Sequence, residues 1–526
     1  MRSFRWTSTA VLLLAAMTAA CQDLDVVNTN APDRDRAQAD PEAVYALVGS
    51  TYASLYTLIH RSTSHLWVMP NVADEFSGTF ANAGQLEITS EPRPTFNNDP
   101  VSTISGVARF PWEYAYEAIS NGVDAIAAID GGLELIVGED EEDFSERAVL
   151  WSLFNMATGH MYLGQLFDQA FIQTPADLNT PVDEREMAPY PEVLAHAIDM
   201  FDETIAYAEA HPDVTIPSPW FGPMRDGTEL TAADIARFAN HYAAKTMVYG
   251  ARTPEERENL DWNEVIRRLD NGIEDTYWIY TNSSLWYLQN VRYLIGEGTF
   301  VSYGDARMVG PADVSGGYNN WLSLPWSERD RWDMVTPDLR YPQGNEHLDR
   351  GVYWEYDASN VFSPERGLYH RTFYQFESEY NSYGFIDHDH LPMVEANLFR
   401  AEALYFLGDL AGAADLINIS RVGIGGLPPA TAAGIGNDTS SCVPQKPTTG
   451  AQQCGDLYDA LMWERMNELA AHESNRGYLD SRGFGRLQEG VFLHLPVPGR
   501  ELGSLQIDVY TFGGVGGTDA APPPIR

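Results

Sequence analysis

Basic residues are scarce in this chain of 526 residues. Its 33 Lys and Arg stand against 75 Asp and Glu, for a net charge of −42 at neutral pH. A chain this acidic does not hold nucleic-acid phosphates, which are bound through arrays of Lys and Arg. Its self-repulsion favours a soluble particle. The apolar run Ala10–Ala16 falls short of the ~20 residues that cross a bilayer. No Gly-x-Ser-x-Gly elbow, His-Glu-x-x-His pair or phosphate-binding Gly loop followed by Lys is present, so the common nucleophile, zinc-protease and nucleotide signatures are missing. No motif calls for a cofactor. A glycosidase carboxylate pair leaves no trace in spacing, because its separation is spatial.

What is present begins at the N-terminus. Arg2 and Arg5 precede the apolar run, and Thr18-Ala19-Ala20 leads into Cys21. That order predicts a signal peptide over residues 1–20. A cysteine directly after the small residues reads as a lipidated first residue of the mature chain. Each acyl chain contributes about 0.8 kcal/mol per buried CH₂, and several chains on one cysteine anchor it stably. Cleavage removes two Arg and no acid, so the mature net charge is −44. Residues 21–40 are polar and read as a tether. Cys442 and Cys454 lie among loop formers, and in an exported protein they are expected to form a disulfide.

Helical signals fill much of the remainder. Asp40-Pro41-Glu42 is an N-cap, a first-turn Pro and an acid at the positive helix end. Apolar residues at helical spacing follow to Ile59. Further helices are expected over Pro111–Ile129, Glu146–Ala170, from Tyr190 to about Ala208, and from Thr231 through Tyr249, where Thr231 and Asp234 form a capping box. Trp262–Asp275, Pro392–Leu407, Leu410–Ser420 and Leu457–Asn475 complete the set. The acidic run Glu139–Glu142 lacks the alternating oxygen ligands of a calcium loop and reads as a solvated approach to a helix.

The Leu407-Gly408-Asp409-Leu410 joint, followed by Ala413 and Ala414, resembles the turn of a tetratricopeptide repeat, although no 34-residue period holds. The chain therefore reads as mainly α: residues 41–526 as one domain, a degenerate tetratricopeptide-like helical-repeat scaffold. Irregular insertions lie at about 61–110, 276–391 and 423–455, and insertions this long are usually functional.

Four stretches, in order along the chain, resemble the SusD/RagB family of outer-membrane nutrient-binding lipoproteins. They are Cys21-Gln-Asp-Leu-Asp-Val-Val-Asn-Thr-Asn with Val48-Gly-Ser-Thr-Tyr-Ala-Ser-Leu; Trp112-Glu-Tyr-Ala-Tyr-Glu-Ala-Ile-Ser-Asn; Pro392-Met-Val-Glu-Ala-Asn-Leu-Phe-Arg-Ala-Glu-Ala-Leu continuing to Arg421; and Glu464-Arg-Met-Asn-Glu-Leu with Arg476-Gly-Tyr-Leu-Asp-Ser-Arg482 and Phe492-Leu-His-Leu-Pro-Val-Pro. The sequence departs from the family at Thr18, at Asn475 and at its Gly- and Pro-rich end. The resemblance implies a SusD-like fold. It also implies a non-catalytic surface lipoprotein of the outer membrane, which captures a glycan or peptide and passes it to a SusC-like TonB-dependent transporter. It places the ligand near the segment after the first long helix, so Trp67, Asn71 and Asp74 are candidate contacts.

A sugar ring packs its aliphatic face on Trp or Tyr and needs polar partners for its hydroxyls. The 276–391 insertion carries both, and Trp286, Tyr287, Tyr318, Asn319 and Trp321 are its candidate ligand contacts. Two other readings stay open: a surface glycoside hydrolase with these aromatics as a subsite, and a helical-repeat scaffold that binds another protein. Asp387-His388-Asp389-His390 offers alternating metal ligands, but its place before Leu391-Pro392 reads more simply as a cap or turn, so no metal is assigned. Glu464, Arg465, Glu468, Glu473, Arg476, Asp480 and Arg482 read as an ion-pair lattice holding the last helix to the following loop.

Overall fold

The computed structural model describes residues 38–78, 84–178, 180–181, 184–222, 227–281, 302–358, 370–376 and 387–523. Cys21, Trp286 and Tyr287 lie outside them.

Helix α1 spans Pro41–His60, and the Asp40 carboxylate accepts the Glu42 N–H at its start. Helix α2, Ser105–Asp130, begins six residues before the expected Pro111. Pro111 sits inside it, and the turn ahead of it buries Val107 and Ala108 against the core, which repays the N–H that proline lacks. Helix α3, Ser145–Leu166, is buried almost all round. It ends before Ala170 because Gln169–Ala170 pairs with Ala188–Pro189 instead. Helix α4 is Tyr190–Ala210, and α5 is Ala232–Gly250 with the Thr231–Asp234 capping box formed. Helix α6 stops at Asp270 (Trp262–Asp270), five residues short of the expected end.

Consecutive helices α1 to α5 pack side by side. Their approach is close where glycine allows it. A Cβ on Gly164 would meet Leu194 at 2.8 Å, and one on Gly250 would meet the same leucine at 2.8 Å. That leucine wedges between α3 and α5, the ridge-and-groove contact of stacked helical hairpins. Past the insertion, α8 (Met393–Phe406) and α9 (Leu410–Gly423) form a hairpin whose turn uses Gly408 at φ +89°, where glycine carries no Cβ penalty. Helix α7, Gly317–Ser323, is short and lies within the insertion.

The last expected helix is two. Helix α10, Leu457–Glu468, ends before a turn with Ala471 at φ +55°, and α11 resumes at Arg476–Gly483. The turn is pinned from outside. The Ser474 N–H and hydroxyl both donate to the Ile59 carbonyl, and the Ala471 N–H donates to Glu75 Oε1.

The 276–391 insertion carries pairs of short strands. Strand β1 (Phe76–Gly78) pairs antiparallel with β3 (Ser302–Gly304). β2 (Tyr277–Tyr280) pairs with β6 (Asp387–Leu391), and β4 (Trp354–Tyr356) pairs with β5 (Tyr374–Phe376). The Asp387–His390 segment is thus a strand, in register His388↔Ile279 and Asp389↔Trp278, and not a cap or turn. One apolar cluster runs from Val44 to Ala521 and joins the helices to the insertion through Tyr341, Trp354 and Trp463. None of the described helices is long and apolar enough to cross a membrane.

Candidate functional site

A cavity of about 520 Å³ opens where three parts of the chain converge. One side is Asp74 and Glu75, from the turn that follows α1 and leads into β1. The second is Arg307, Tyr318, Leu322 and Arg329, from the insertion. The third is Met462, Met466, Arg476 and Phe484 on α10, α11 and the turn after it. The Lys446–Thr449 loop closes the remaining side. The volume lies in the range of small-ligand sites.

The ion-pair lattice read from the sequence forms the rear wall. Arg465 is buried and bridges two helices: its Nη1 donates to Glu402 Oε2 at 2.7 Å, and its Nη2 and Nε donate to Asp480 at 2.5 and 3.1 Å. Arg257 donates to the same two carboxylates, to Glu402 Oε2 at 2.9 Å and Asp480 Oδ1 at 3.2 Å. Arg476 lies 3.0 Å from Glu395, and Lys245 lies 2.6 Å from Glu473. Arg482 donates instead to the carbonyls of Gln165, Leu493 and Tyr249. Charges removed from water at this depth hold together only because their hydrogen bonds are made. Arg340, which carried no signal in the sequence, plays the same part for the insertion. It donates to Asp338 and Glu464 at 2.8 Å each and to Glu468 at 2.9 Å.

Opposite this wall, Asp313 folds the loop that carries Tyr318. Its Oδ2 accepts the Tyr318 N–H at 2.9 Å and the Trp332 Nε1–H at 3.1 Å. Its Oδ1 accepts the Ser315 and Val335 N–H groups at 3.0 and 3.1 Å. Tyr318 stacks on Trp321 and Trp332 with ring centroids 6.2 and 6.0 Å away. Trp321 is buried one layer behind, with the Arg329 guanidinium 4.2 Å from its ring centroid. Asn319 Nδ2 donates to the Thr448 carbonyl at 2.8 Å and so ties α7 to the closing loop. Cys442 and Cys454 are bonded to each other at the base of that loop, and the Gln445 N–H donates to the Pro311 carbonyl.

The candidate residues therefore fall in two layers. Asp74 and Tyr318 line the cavity, whereas Trp67, Asn71, Asn319 and Trp321 are buried and do not. Trp67 packs in the main core. Asn71 donates to the Phe76 carbonyl at 2.7 Å and accepts from Gln85 Nε2 at 2.8 Å, shaping the turn that presents Asp74. Asp74 itself takes φ +54° and pairs with Arg93. Arg307 and Arg486 are wall residues that carried no signal in the sequence.

The electrostatics run against the acidity of the whole chain. Arg307, Arg329, Lys446, Arg476 and Arg486 all reach the cavity. Burial pushes the half-buried Arg486 guanidinium down, with Tyr318 and Asp459 as the compensating neighbours. Burial pushes the Glu75 carboxyl up to about 8, although the Ala471 N–H donates to it. Glu75 is therefore neutral at pH 7 and presents a carboxylic acid at the cavity floor. Asp305, behind it, is raised to about 6 by burial and by Asp74.

A helical-repeat scaffold with a side cavity roofed by an irregular insertion is the class of protein that fold and site define. No family model matches the sequence, and no curated protein matches it. Solved structures do. A SusD superfamily protein from Parabacteroides distasonis is similar over 88% of this chain and 97% of its own, at 12% identity and a TM-score of 0.54. One from Bacteroides thetaiotaomicron is similar over 90% and 97%, at 14% identity and 0.53. A SusD-like carbohydrate binding protein from Bacteroides fragilis is similar over 93% and 96%, at 14% identity and 0.52. The fold of this chain is therefore that of the SusD superfamily structures.

Proposed function

We propose that this protein is a lipid-anchored receptor of the outer-membrane surface, which binds a glycan in the cavity and passes it to a TonB-dependent transporter. The observation that carries the reading is the make-up of the cavity. Tyr318, Leu322, Met466 and Phe484 offer apolar surface, and Asp74, Glu75, Arg307, Gln453 and Arg486 offer hydrogen-bonding groups around it. Sugars require that mixture, an apolar ring face edged by hydroxyls. The name of the Bacteroides fragilis structure, a carbohydrate binding protein, supports it.

Binding without turnover is favoured over glycoside hydrolysis by the state of the carboxylates. A hydrolase needs one free acid and one free carboxylate facing the scissile bond. Here Asp74 is paired with Arg93, Asp480 with Arg465 and Arg257, and Asp459 with Lys446. Burial pushes the Glu75 carboxyl up into the range of a proton donor, and among the described residues the other cavity carboxylates, Asp74, Asp459 and Asp480, are each held by a cation.

Incubation of the purified protein with a polysaccharide panel tests this. The reading expects saturable binding and unchanged chain length, and release of shorter products would overturn it. Cys21→Ala is expected to move the protein from the membrane to the soluble fraction. Pull-down of the lipidated form from outer membranes is expected to bring the transporter with it.

A further inference from the structure

Four buried histidines meet away from the cavity floor. His60 ends α1, His388 and His390 lie on β6, and His472 lies in the turn between α10 and α11. One ring nitrogen from each of His60, His388 and His390 lies within 4.8 Å of the other two. His388, His472 and the Asp389 carboxylate form a second such group that shares His388. Asp389 Oδ1 stands 3.5 Å from His388 Nδ1 and 3.3 Å from His472 Nε2.

His390 has an unresolved need. Its Nε2 lies 2.6 Å from the Tyr52 hydroxyl, while its buried Nδ1 has no hydrogen-bond partner. A buried ring nitrogen left without a partner is destabilising in either tautomer. An ion on Nδ1, with Nε2–H donating to Tyr52, removes that cost. The nearby cations are already matched, Lys245 by Glu473 and Arg476 by Glu395.

We propose that His60, His388 and His390 bind one divalent transition ion of the zinc class, with Asp389 behind His388. Imidazole nitrogens select zinc-class ions over magnesium or calcium, which take oxygen ligands. Zn–N bonds of about 2.0–2.1 Å place tetrahedral nitrogens roughly 3.4 Å apart, so small ring rotations complete the site. Asp389 takes the part of the carboxylate that orients a ligating histidine through its second nitrogen. The ion pins the end of α1 to β6, and His472 carries that order to the Ala471–Glu473 turn, which meets Glu75. Imidazole rings packed edge to face, as His60 and His388 are at 4.7 Å between centroids, are the competing account.

The test uses the full mature chain, stripped with chelator and titrated with Zn²⁺. About one equivalent is expected to survive gel filtration and to raise the melting temperature. Asp389→Asn is expected to weaken Zn²⁺ binding about 10- to 100-fold, and His388→Ala or His390→Ala to abolish it. Absence of retained zinc, or stoichiometric zinc retained in both histidine variants, would overturn the proposal. If the variants do not fold, Co²⁺ added to the parent decides. Intense ligand-field bands of nitrogen-ligated cobalt support the site, and the weak spectrum of hydrated cobalt contradicts it.

Discussion

Arg465→Met tests the energetics of the cavity's rear wall. The substitution keeps most of the side-chain volume and removes one guanidinium that is 1% exposed. It deletes hydrogen bonds of 2.7, 2.5 and 3.1 Å to Glu402 and Asp480. Two carboxylates are left with Arg257 as their shared counter-charge. Burial already pushes the Asp480 carboxyl up from its usual range, and loss of the Arg465 guanidinium, which holds it down, pushes it further. Breaking a buried pair from one side costs about 3–5 kcal/mol, and Arg257 reduces that to about 2–4 kcal/mol. Urea unfolding followed by tryptophan fluorescence and far-UV circular dichroism measures it. The double variant Arg465→Met/Asp480→Asn removes the stranded charge, so it is expected to be more stable than the sum of the single changes predicts. A single variant within about 0.5 kcal/mol of the parent, or strict additivity in the cycle, would refute the reasoning.

Three further outcomes follow from the site. Gly477→Ala places a Cβ 2.0 Å from Glu75 Oε2, so it is expected to lower the melting temperature and glycan affinity together; Glu75→Gln, which keeps the clash, is not expected to rescue it. Glu75 has a folded-state value of about 8 against 4.5 unfolded; the folded chain then holds a proton that the unfolded chain lacks, so this group's contribution falls as pH rises from about 4.5 to 8. The parent is expected to lose up to about 1.4 kcal/mol per pH unit relative to Glu75→Gln in that window, and parallel pH–stability curves would contradict the assignment. Cys442→Ser with Cys454→Ser frees the Lys446–Thr449 loop; a loss of about 2–3 kcal/mol against unfolding, with weaker ligand binding, is expected from calorimetry.

Local chemistry made the helices legible. Asp40-Pro41-Glu42 and Thr231–Asp234 mark starts because a cap needs only neighbours in sequence. The break between α10 and α11 left no mark, because Ala471 adopts φ +55° under tertiary hydrogen bonds where a glycine signal would be looked for. The strands of the insertion were hidden for a related reason. β1 finds its partner more than 220 residues downstream, and β6 finds its partner over 100 residues upstream, so neither shows alternation long enough to read.

The site was legible by residue type more than by place. Asp74 and Tyr318 line the cavity, yet Trp321 stands behind Tyr318, and no spacing distinguishes a ring that faces ligand from one that supports it. Arg307 and Arg486 enter only because folding brings the Ala306–Val309 segment of the insertion and the turn after α11 to one cavity.

Titration calorimetry of the mature protein against a glycan panel, beside Tyr318→Ala and Arg486→Gln, tests the central claim most directly. The account predicts saturable one-site binding to at least one glycan by the parent, at least about tenfold weaker in Arg486→Gln (~1.4 kcal/mol), with the oligosaccharide recovered intact. Equal affinity in the parent and both variants, or recovery of cleaved sugar, would contradict it.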